Sequence, residues 1–176
     1  MVLSRLFCLA KRPYRLTVRT APFQGVNPGS IPGRVTKYIK RMKNCVFCKI
    51  IKTGKPHHEI IWQDKKFIAF LSKEPIKQGH TLLIPRKHVD KYLDMNDKDF
   101  LEIAKVAKKM ATALRDIFKS KRTAFIIDGF RVPHLHVHLI PVNKSGEIIK
   151  GVGYKLKEHE LEHVGAMLRS YFKKFK

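Results

Sequence analysis

The stretch that decides the fold is PHLHVHLIP, residues 133–141, in which three histidines alternate with apolar residues. Strict alternation is typical of a β-strand, in which side chains two residues apart lie on one face, about 6.6–6.8 Å from each other. His134, His136 and His138 are therefore predicted to share one face of a strand. Buried imidazoles need partners, so three in line predict metal, phosphate or water opposite them. Structural histidines bonded to nearby carbonyls are the alternative.

The rest of the chain predicts strands around one long helix. Apolar residues recur at a 3.6-residue period up to Phe118, and Asn96 is placed to cap the start of that helix. A last helix is predicted across residues 159–174. Strands are predicted at residues 59–64, 66–72, 79–86, 123–128 and 134–142. The expected class is α+β, a five-stranded antiparallel sheet with a long helix and a C-terminal helix on one face.

Positive charge is concentrated at the start of the chain. The formal net charge is +23, and residues 1–44 contain ten Lys and Arg but no acidic residue. The stretch MVLSRLFCLAKRPYRLTVRT has the composition of a mitochondrial targeting segment, with a secretory signal or a nucleic-acid-binding arm as alternatives. Residues 25–33, GVNPGSIPG, are typical of a linker. We therefore expect an extension over residues 1–43, a domain over residues 44–176, and location in the mitochondrial matrix.

The three cysteines leave no room for a disulfide framework. Cys8 lies in the extension, whereas Cys45 and Cys48 form a C-x-x-C pair. In a reducing compartment such a pair indicates either metal ligands or a redox couple. No apolar run approaches the roughly 18 residues that a membrane-spanning helix needs, so no membrane partner is expected.

PHLHVHLIP resembles the signature of the histidine-triad (HIT) family, in which three histidines alternate with apolar residues. The similarity extends upstream, because three further segments resemble the opening segments of HINT-like members in the same order. They are NCVFCKII (44–51), FIAFLSKEP (67–75) and GHTLLIPRKHV (79–89). Together these motifs identify the chain, from about residue 44 to residue 141, as similar to zinc-containing HIT proteins of a bacterial type.

The resemblance implies a nucleotidyl hydrolase or transferase. Such enzymes attack the α-phosphorus of nucleoside 5′-phosphoramidates, dinucleoside polyphosphates or nucleoside-5′-phosphoryl sugars. Carried over by position, His136 would be the nucleophile and would form a transient nucleotidyl-histidine. His138 would bind phosphate oxygens and help to protonate the leaving group. The resemblance also implies a homodimer.

Zinc-containing members of the family complete their C-x-x-C site with two histidines. One belongs to an IPxxH segment and the other is the first histidine of the triad. The resemblance therefore implies a structural Zn²⁺ held by Cys45, Cys48, His88 and His134. Incidental thiols are the alternative.

The nucleotide-binding residues depart from the family pattern. Ser72 stands where an aspartate usually binds the ribose hydroxyls, and the family's upstream asparagine has no counterpart. Gly129 and Arg131 stand in a GFRVP stretch that replaces a Gly-Gly-Gln-Ser type loop. Arg131 could clamp phosphate bidentately or face solvent. Phe70 could line a base pocket or belong to the sheet core, and His80 is expected to be exposed or structural rather than catalytic.

A binding function is the alternative to an enzyme. From residue 45 onward the chain carries 27 basic and 14 acidic residues, a net charge of +13. A basic surface binds nucleic acid by neutralising phosphates and releasing counterions. The stretches KYIKRMK and YFKKFK interleave aromatic residues with lysine, as nucleic-acid-binding segments do. A HIT-fold protein that binds or assembles with mitochondrial RNA or DNA is therefore the second hypothesis.

Overall fold

A computed structural model of the protein describes residues 44–54, 60–148 and 157–173. The predicted extension over residues 1–43, with its linker and Cys8, lies outside the described residues. Among the residues that are described, no helix is both long and apolar enough to cross a membrane.

Five antiparallel strands form a single sheet. They are β1 (Ile60–Gln63), β2 (Phe67–Leu71), β3 (Thr81–Pro85), β4 (Arg122–Ile126) and β5 (Val137–Val142). Their spatial order is β1-β2-β3-β5-β4, which places β5 between β3 and β4. The predicted α+β class and five-stranded antiparallel sheet are therefore confirmed.

Within the described residues, three α-helices accompany the sheet. They are α1 (Val46–Thr53), α2 (Asp97–Phe118) and α3 (Glu158–Lys173), with a short 3₁₀ turn at Tyr92–Asp94 before α2. Asn96 caps α2 as the sequence indicates, because its side-chain oxygen accepts the backbone N–H of Asp99 at 2.9 Å. The helix α1 was not predicted. It has only eight residues and begins at Cys45 without a side-chain cap.

Both faces of the sheet are covered. The residues facing α2 and α3 alternate along the strands and are Phe67, Ala69, Leu71, Leu83, Val137 and Leu139. The residues facing α1 are Ile68, Phe70, Leu82 and Ile84. The prediction that helices pack on one face is thus incomplete. The unbroken apolar runs FIAFL and TLLIP have the pattern of strands buried on both faces.

The predicted strand over residues 134–142 is too long at its start. Hydrogen bonding within the sheet begins at Val137, so His134 and His136 precede β5 and only His138 lies in it. The backbone N–H of Leu135 bonds instead to the carbonyl of Val89 at 2.6 Å. His138 pairs with Leu82 and therefore faces the α1 side of the sheet. The first two histidines are held by a separate connection, not by the sheet ladder.

Gly79 determines how the chain enters β3. Its φ of +83° belongs to the left-handed region, and a Cβ at this position would collide with the ring of Phe118. Glycine thus permits the close approach of this turn to the end of α2. The next residue, His80, is consequently buried.

Candidate metal centre and active site

Four potential ligands meet under α1. Cys45, Cys48, His88 and His134 each offer one donor atom, and these atoms all lie within 4.8 Å of one another. The helix α1 brings the two thiols one turn apart, and the segments after β3 and before β5 supply the two imidazoles. The four residues predicted as ligands are therefore brought together, although they are separated by as many as 89 positions.

The distances in this cluster fit a tetrahedral ion. The Sγ of Cys48 lies 3.2 Å from Nδ1 of His88 and 3.5 Å from Nδ1 of His134, and the Sγ of Cys45 lies 3.4 Å from Nδ1 of His134. Metal–sulfur bonds of about 2.3 Å and metal–nitrogen bonds of about 2.0–2.1 Å place sulfur and nitrogen about 3.6 Å apart. The side chains are therefore arranged for a closed four-ligand site.

Hydrogen bonding and burial set the tautomer of His134 and the pKa values of His134 and Cys48. Nε2 of His134 donates to the carbonyl of Pro85 at 2.9 Å, which leaves the lone pair on Nδ1, facing the thiols. Burial lowers the pKa of His134 to about 4, so this imidazole is neutral at pH 7. Burial, followed by the neighbouring Cys45, raises the pKa of the Cys48 thiol to about 12. Two thiolates at this place therefore require a cation between them.

His136 is oriented by the backbone. Its Nδ1 donates to the carbonyl of His134 at 2.7 Å, and its side chain is 4% exposed. The ring of Phe47 packs edge-on against it, with centroids 5.2 Å apart. Because the proton of a neutral ring is then on Nδ1, the free lone pair is on Nε2. This is the atom that can act as a nucleophile.

His138 receives the opposite tautomer through a chain of hydrogen bonds. The backbone N–H of Ile76 donates to Nδ1 of His80 at 3.1 Å, so a neutral His80 carries its proton on Nε2. That Nε2 lies 2.9 Å from Nδ1 of His138 and donates to it. The remaining proton of His138 is therefore on Nε2, a buried atom with no acceptor among the described residues. A buried donor of this kind needs an acceptor from a bound molecule.

Burial keeps the hydrogen-bonded pair of His80 and His138 neutral. It lowers the pKa of His80 to about 3 and that of His138 to about 4, and the nearby imidazoles lower both further. The rings of His136 and His138 lie 4.8 Å apart between centroids. A neutral His136 thus presents a lone pair on Nε2 beside the proton on Nε2 of His138.

His80 is the residue whose importance the sequence did not reveal. It was expected to be exposed or structural, and its contact with His138 spans 58 positions. Asp128 was also missed, although its Oδ1 lies 4.0 Å from Nε2 of His136. Each residue has an ordinary local sequence. The pairing of β3 with β5 brings His80 to the site, and the pairing of β4 with β5 brings Asp128 there.

The other predicted nucleotide-binding residues lie in different surroundings. Arg131 is a solvent-facing side chain, 86% exposed, with an ion pair to Glu74 at 3.4 Å. Phe70 is 1% exposed and lies in the core beneath α1. Ser72 is buried at the end of β2, where its N–H bonds to the carbonyl of His80. Gly129 has a φ of +74° and open space beside its Cα.

Cys48→Ser removes one of the four donors, so we expect the purified protein to lose its bound metal and unfold at a lower temperature. Elemental analysis of the wild type is expected to give about one equivalent of metal, as a closed four-ligand site holds one ion. Cys8→Ser serves as the control and should leave the metal content unchanged. Less than about a tenth of an equivalent in the wild type would contradict a resident metal.

Acid is expected to destabilise the fold from about pH 6.5 down to about pH 4 through His138 and down to about pH 3 through His80, because the pKa values of both are lowered on folding. The unfolded chain binds more protons in this window, and the stability they confer is fully present only above it. Each histidine contributes at most about 1.4 kcal/mol per pH unit. Urea unfolding across the window should show a smaller slope for His80→Gln and an unchanged slope for the exposed His163→Gln. Equal slopes in all three proteins would contradict the assignment.

Comparison with known proteins places these features in a family. Residues 53–145 match the model of the HIT domain. An adenosine 5′-monophosphoramidase of Saccharomyces cerevisiae is 35% identical over 126 residues, which cover 70% of this chain and 77% of that protein. An adenosine 5′-monophosphoramidase of Schizosaccharomyces pombe is 30% identical over 135 residues, covering 74% of this chain and 99% of that protein.

Two solved structures show the same fold. A hypothetical histidine triad nucleotide-binding protein from Sulfolobus tokodaii aligns with a TM-score of 0.65 at 30% identity, covering 75% of this chain and 94% of its own. A Zn-bound histidine triad family protein from Mycobacterium smegmatis aligns with a TM-score of 0.63 at 25% identity, and the alignment covers 76% of this chain and 96% of that protein. The matched family model spans more than half of the chain and includes all three alternating histidines. The protein therefore belongs to the HIT family.

Proposed function

We propose that the protein is a nucleotidyl hydrolase or transferase that cleaves a nucleoside 5′-phosphoramidate or a dinucleoside polyphosphate at the α-phosphate. The observation that carries this proposal is that the two neighbouring imidazoles adopt opposite tautomers. His136 has a lone pair on Nε2, and His138 has a proton on Nε2. Two relatives, aligned with this chain over most of their own length, are named adenosine 5′-monophosphoramidases. Both features favour chemistry at a nucleotide phosphorus.

The chemistry follows from the two tautomers. The lone pair of His136 Nε2 attacks phosphorus, and the bond to the leaving group breaks with its electron pair going to the leaving atom. The leaving atom takes its proton from solvent, while the Nε2–H of the neutral His138 donates a hydrogen bond to a phosphate oxygen. Positive charge that develops on the His136 ring is stabilised by the carbonyl of His134, which accepts its Nδ1–H at 2.7 Å. Water then hydrolyses the covalent nucleotidyl-histidine, which splits one difficult displacement into two easier ones.

We propose that the metal is zinc and that its role is structural. Two thiols and two neutral imidazoles are the ligand set that zinc prefers in closed sites. A structural relative from Mycobacterium smegmatis is a Zn-bound protein. A bound zinc ion would supply charge neutralisation for the two thiolates. The ligand His134 also holds the reactive ring of His136 through its carbonyl, so the metal centre and the active site share one backbone segment.

A second function is supported by the exposed face of α2 together with the residues that lead from it into β4. Between residues 103 and 122 the chain carries seven basic residues and one acid, Asp116. All seven basic side chains are exposed, and they are Lys105, Lys108, Lys109, Arg115, Lys119, Lys121 and Arg122. Such a surface suits a polyanion. Binding of mitochondrial RNA or DNA is therefore the alternative function, and it would use a surface distinct from the histidines.

We further propose a homodimer located in the mitochondrial matrix. The strand β4 is an edge of the sheet, with the side chain of Phe125 46% exposed on it. An unpaired edge with an exposed aromatic residue suits pairing with a second copy. The matrix location follows from the composition of residues 1–20.

His136→Ala is expected to reduce hydrolysis of adenosine 5′-phosphoramidate by at least about a thousandfold, because it removes the attacking lone pair. Release of adenosine monophosphate measures the rate. Acid quenching of the wild type during turnover should trap a nucleotidyl group on the protein, detectable by intact mass and absent from the variant. His163→Ala, on the exposed face of α3, is the matched control and should retain full activity.

The two functions give different results in this assay. If the wild type and His136→Ala are equally inactive on phosphoramidates and polyphosphates, the enzymatic proposal fails. Tight, salt-dependent RNA binding that is lost when Lys105, Lys108 and Lys109 are replaced by glutamine would then support the alternative.

A further inference from the structure

A half-exposed carboxylate lies beside the imidazoles of His136 and His138. Asp128 contributes one donor atom to a group with His136 and His138 in which all three atoms lie within 4.8 Å of one another. Its Oδ1 is 4.0 Å from Nε2 of His136, too long for a hydrogen bond. The side chain is 53% exposed, and glycine follows it with a φ of +74°. Any group that bonds to Nε2 of His136 must therefore lie close to this negative charge.

The position of this charge is unexpected for a site that binds phosphate. The phosphorus of a substrate carries anionic oxygens, and a carboxylate about 4–5 Å away repels them. Arg131 offsets this charge only in part, because it is 86% exposed and pairs with Glu74, and its effect on the pKa of His138 is smaller than that of Asp128. The electrostatic field of Asp128 also reaches His138, where it opposes the lowering of that pKa by burial. The carboxylate thus acts on the attacking atom and on the proton donor.

A metal ion held by these three residues is the other conceivable use of the group. The hydrogen-bond chain argues against it, because Ile76 and His80 place a proton on Nε2 of His138. A metal at that atom would require the opposite tautomers of both rings, and His80 would then point an N–H at the N–H of Ile76. The substrate's own charge is the better match for Asp128.

The two proposed substrate types differ in the charge of the leaving group. In a phosphoramidate the P–N bond breaks, and its electron pair stays on a nitrogen that has first accepted a proton from solvent. That nitrogen is cationic until the bond breaks and leaves as a neutral amine. In a polyphosphate the P–O bond breaks, and its electron pair adds negative charge to an oxygen that is already part of an anion. A nearby carboxylate stabilises the first transition state and destabilises the second.

We propose that Asp128 is a specificity-determining residue that selects amine leaving groups, so that the substrates are nucleoside 5′-phosphoramidates and not polyphosphates. The inference rests on the proposed nucleotidyl transfer to His136, and it narrows that proposal to one class of substrate. Asp128 does not replace either histidine in the bond-making steps. It acts through the sign of its charge at a distance of 4.0 Å from the nucleophile.

Asp128→Asn tests the proposal, because it keeps the shape of the side chain and removes its charge. The kcat/KM values for adenosine 5′-phosphoramidate and diadenosine tetraphosphate are measured for the wild type and the variant. We expect the ratio of the two to fall by about tenfold or more in the variant, since a half-exposed charge at this distance is only partly screened. Glu162→Gln, an exposed residue of α3, makes the same change in net charge and should leave the ratio unchanged.

A binding measurement makes the test independent of turnover. Calorimetry is expected to show that Asp128→Asn binds adenosine monophosphate about three- to tenfold more tightly, because repulsion of its phosphate is removed. Binding of adenosine, which has no phosphate, should not change. This measurement remains valid even if the wild type hydrolyses neither substrate, the result that would reject the proposed function.

Two results would overturn the inference. One is that Asp128→Asn lowers activity on both substrates by the same factor, which would place the carboxylate in the shared chemistry. Alternatively, the variant could leave both the substrate ratio and the affinity for adenosine monophosphate unchanged, which would make Asp128 an ordinary surface residue.

Discussion

The hydrogen bond from Nδ1 of His136 to the carbonyl of His134 is the interaction on which the site depends. At 2.7 Å it fixes which nitrogen of a buried imidazole carries the proton, and therefore which nitrogen can attack. The carbonyl belongs to a residue whose own ring faces two thiols and is anchored to Pro85. The backbone that orients the proposed nucleophile is thus held by the cluster of Cys45, Cys48, His88 and His134, so the candidate metal site and the proposed reactive ring share one short segment.

The sheet supplies the second half of the arrangement. β3 and β5 are neighbours, so His80 at the start of one strand reaches His138 in the other. The backbone of Ile76 determines the tautomer of His80, and His80 in turn determines that of His138. Two adjacent imidazoles of the same chemical type consequently carry protons on different nitrogens. In the proposed mechanism, the charge of Asp128 lies beside this pair and selects the leaving group.

Much of this could be predicted from the sequence, because the patterns involved are local. The alternation of the histidines, the period of α2 and the cap at Asn96 each reflect neighbours within a few residues. The boundary of β5 was missed because alternation does not distinguish an extended connection from a hydrogen-bonded strand. His80 and Asp128 were missed for another reason. Their roles arise from contacts across the sheet, and the loop that carries Asp128 departs from the family pattern.

The histidine tautomers test the central claim most directly. Nitrogen-15 NMR of the protein at neutral pH distinguishes a protonated ring nitrogen from a bare one for each histidine, with single substitutions providing the assignments. We expect the proton on Nδ1 in His136 and on Nε2 in both His80 and His138. A proton on Nε2 of His136, or on Nδ1 of His138, would remove the lone pair or the donor on which the mechanism rests and would contradict the account.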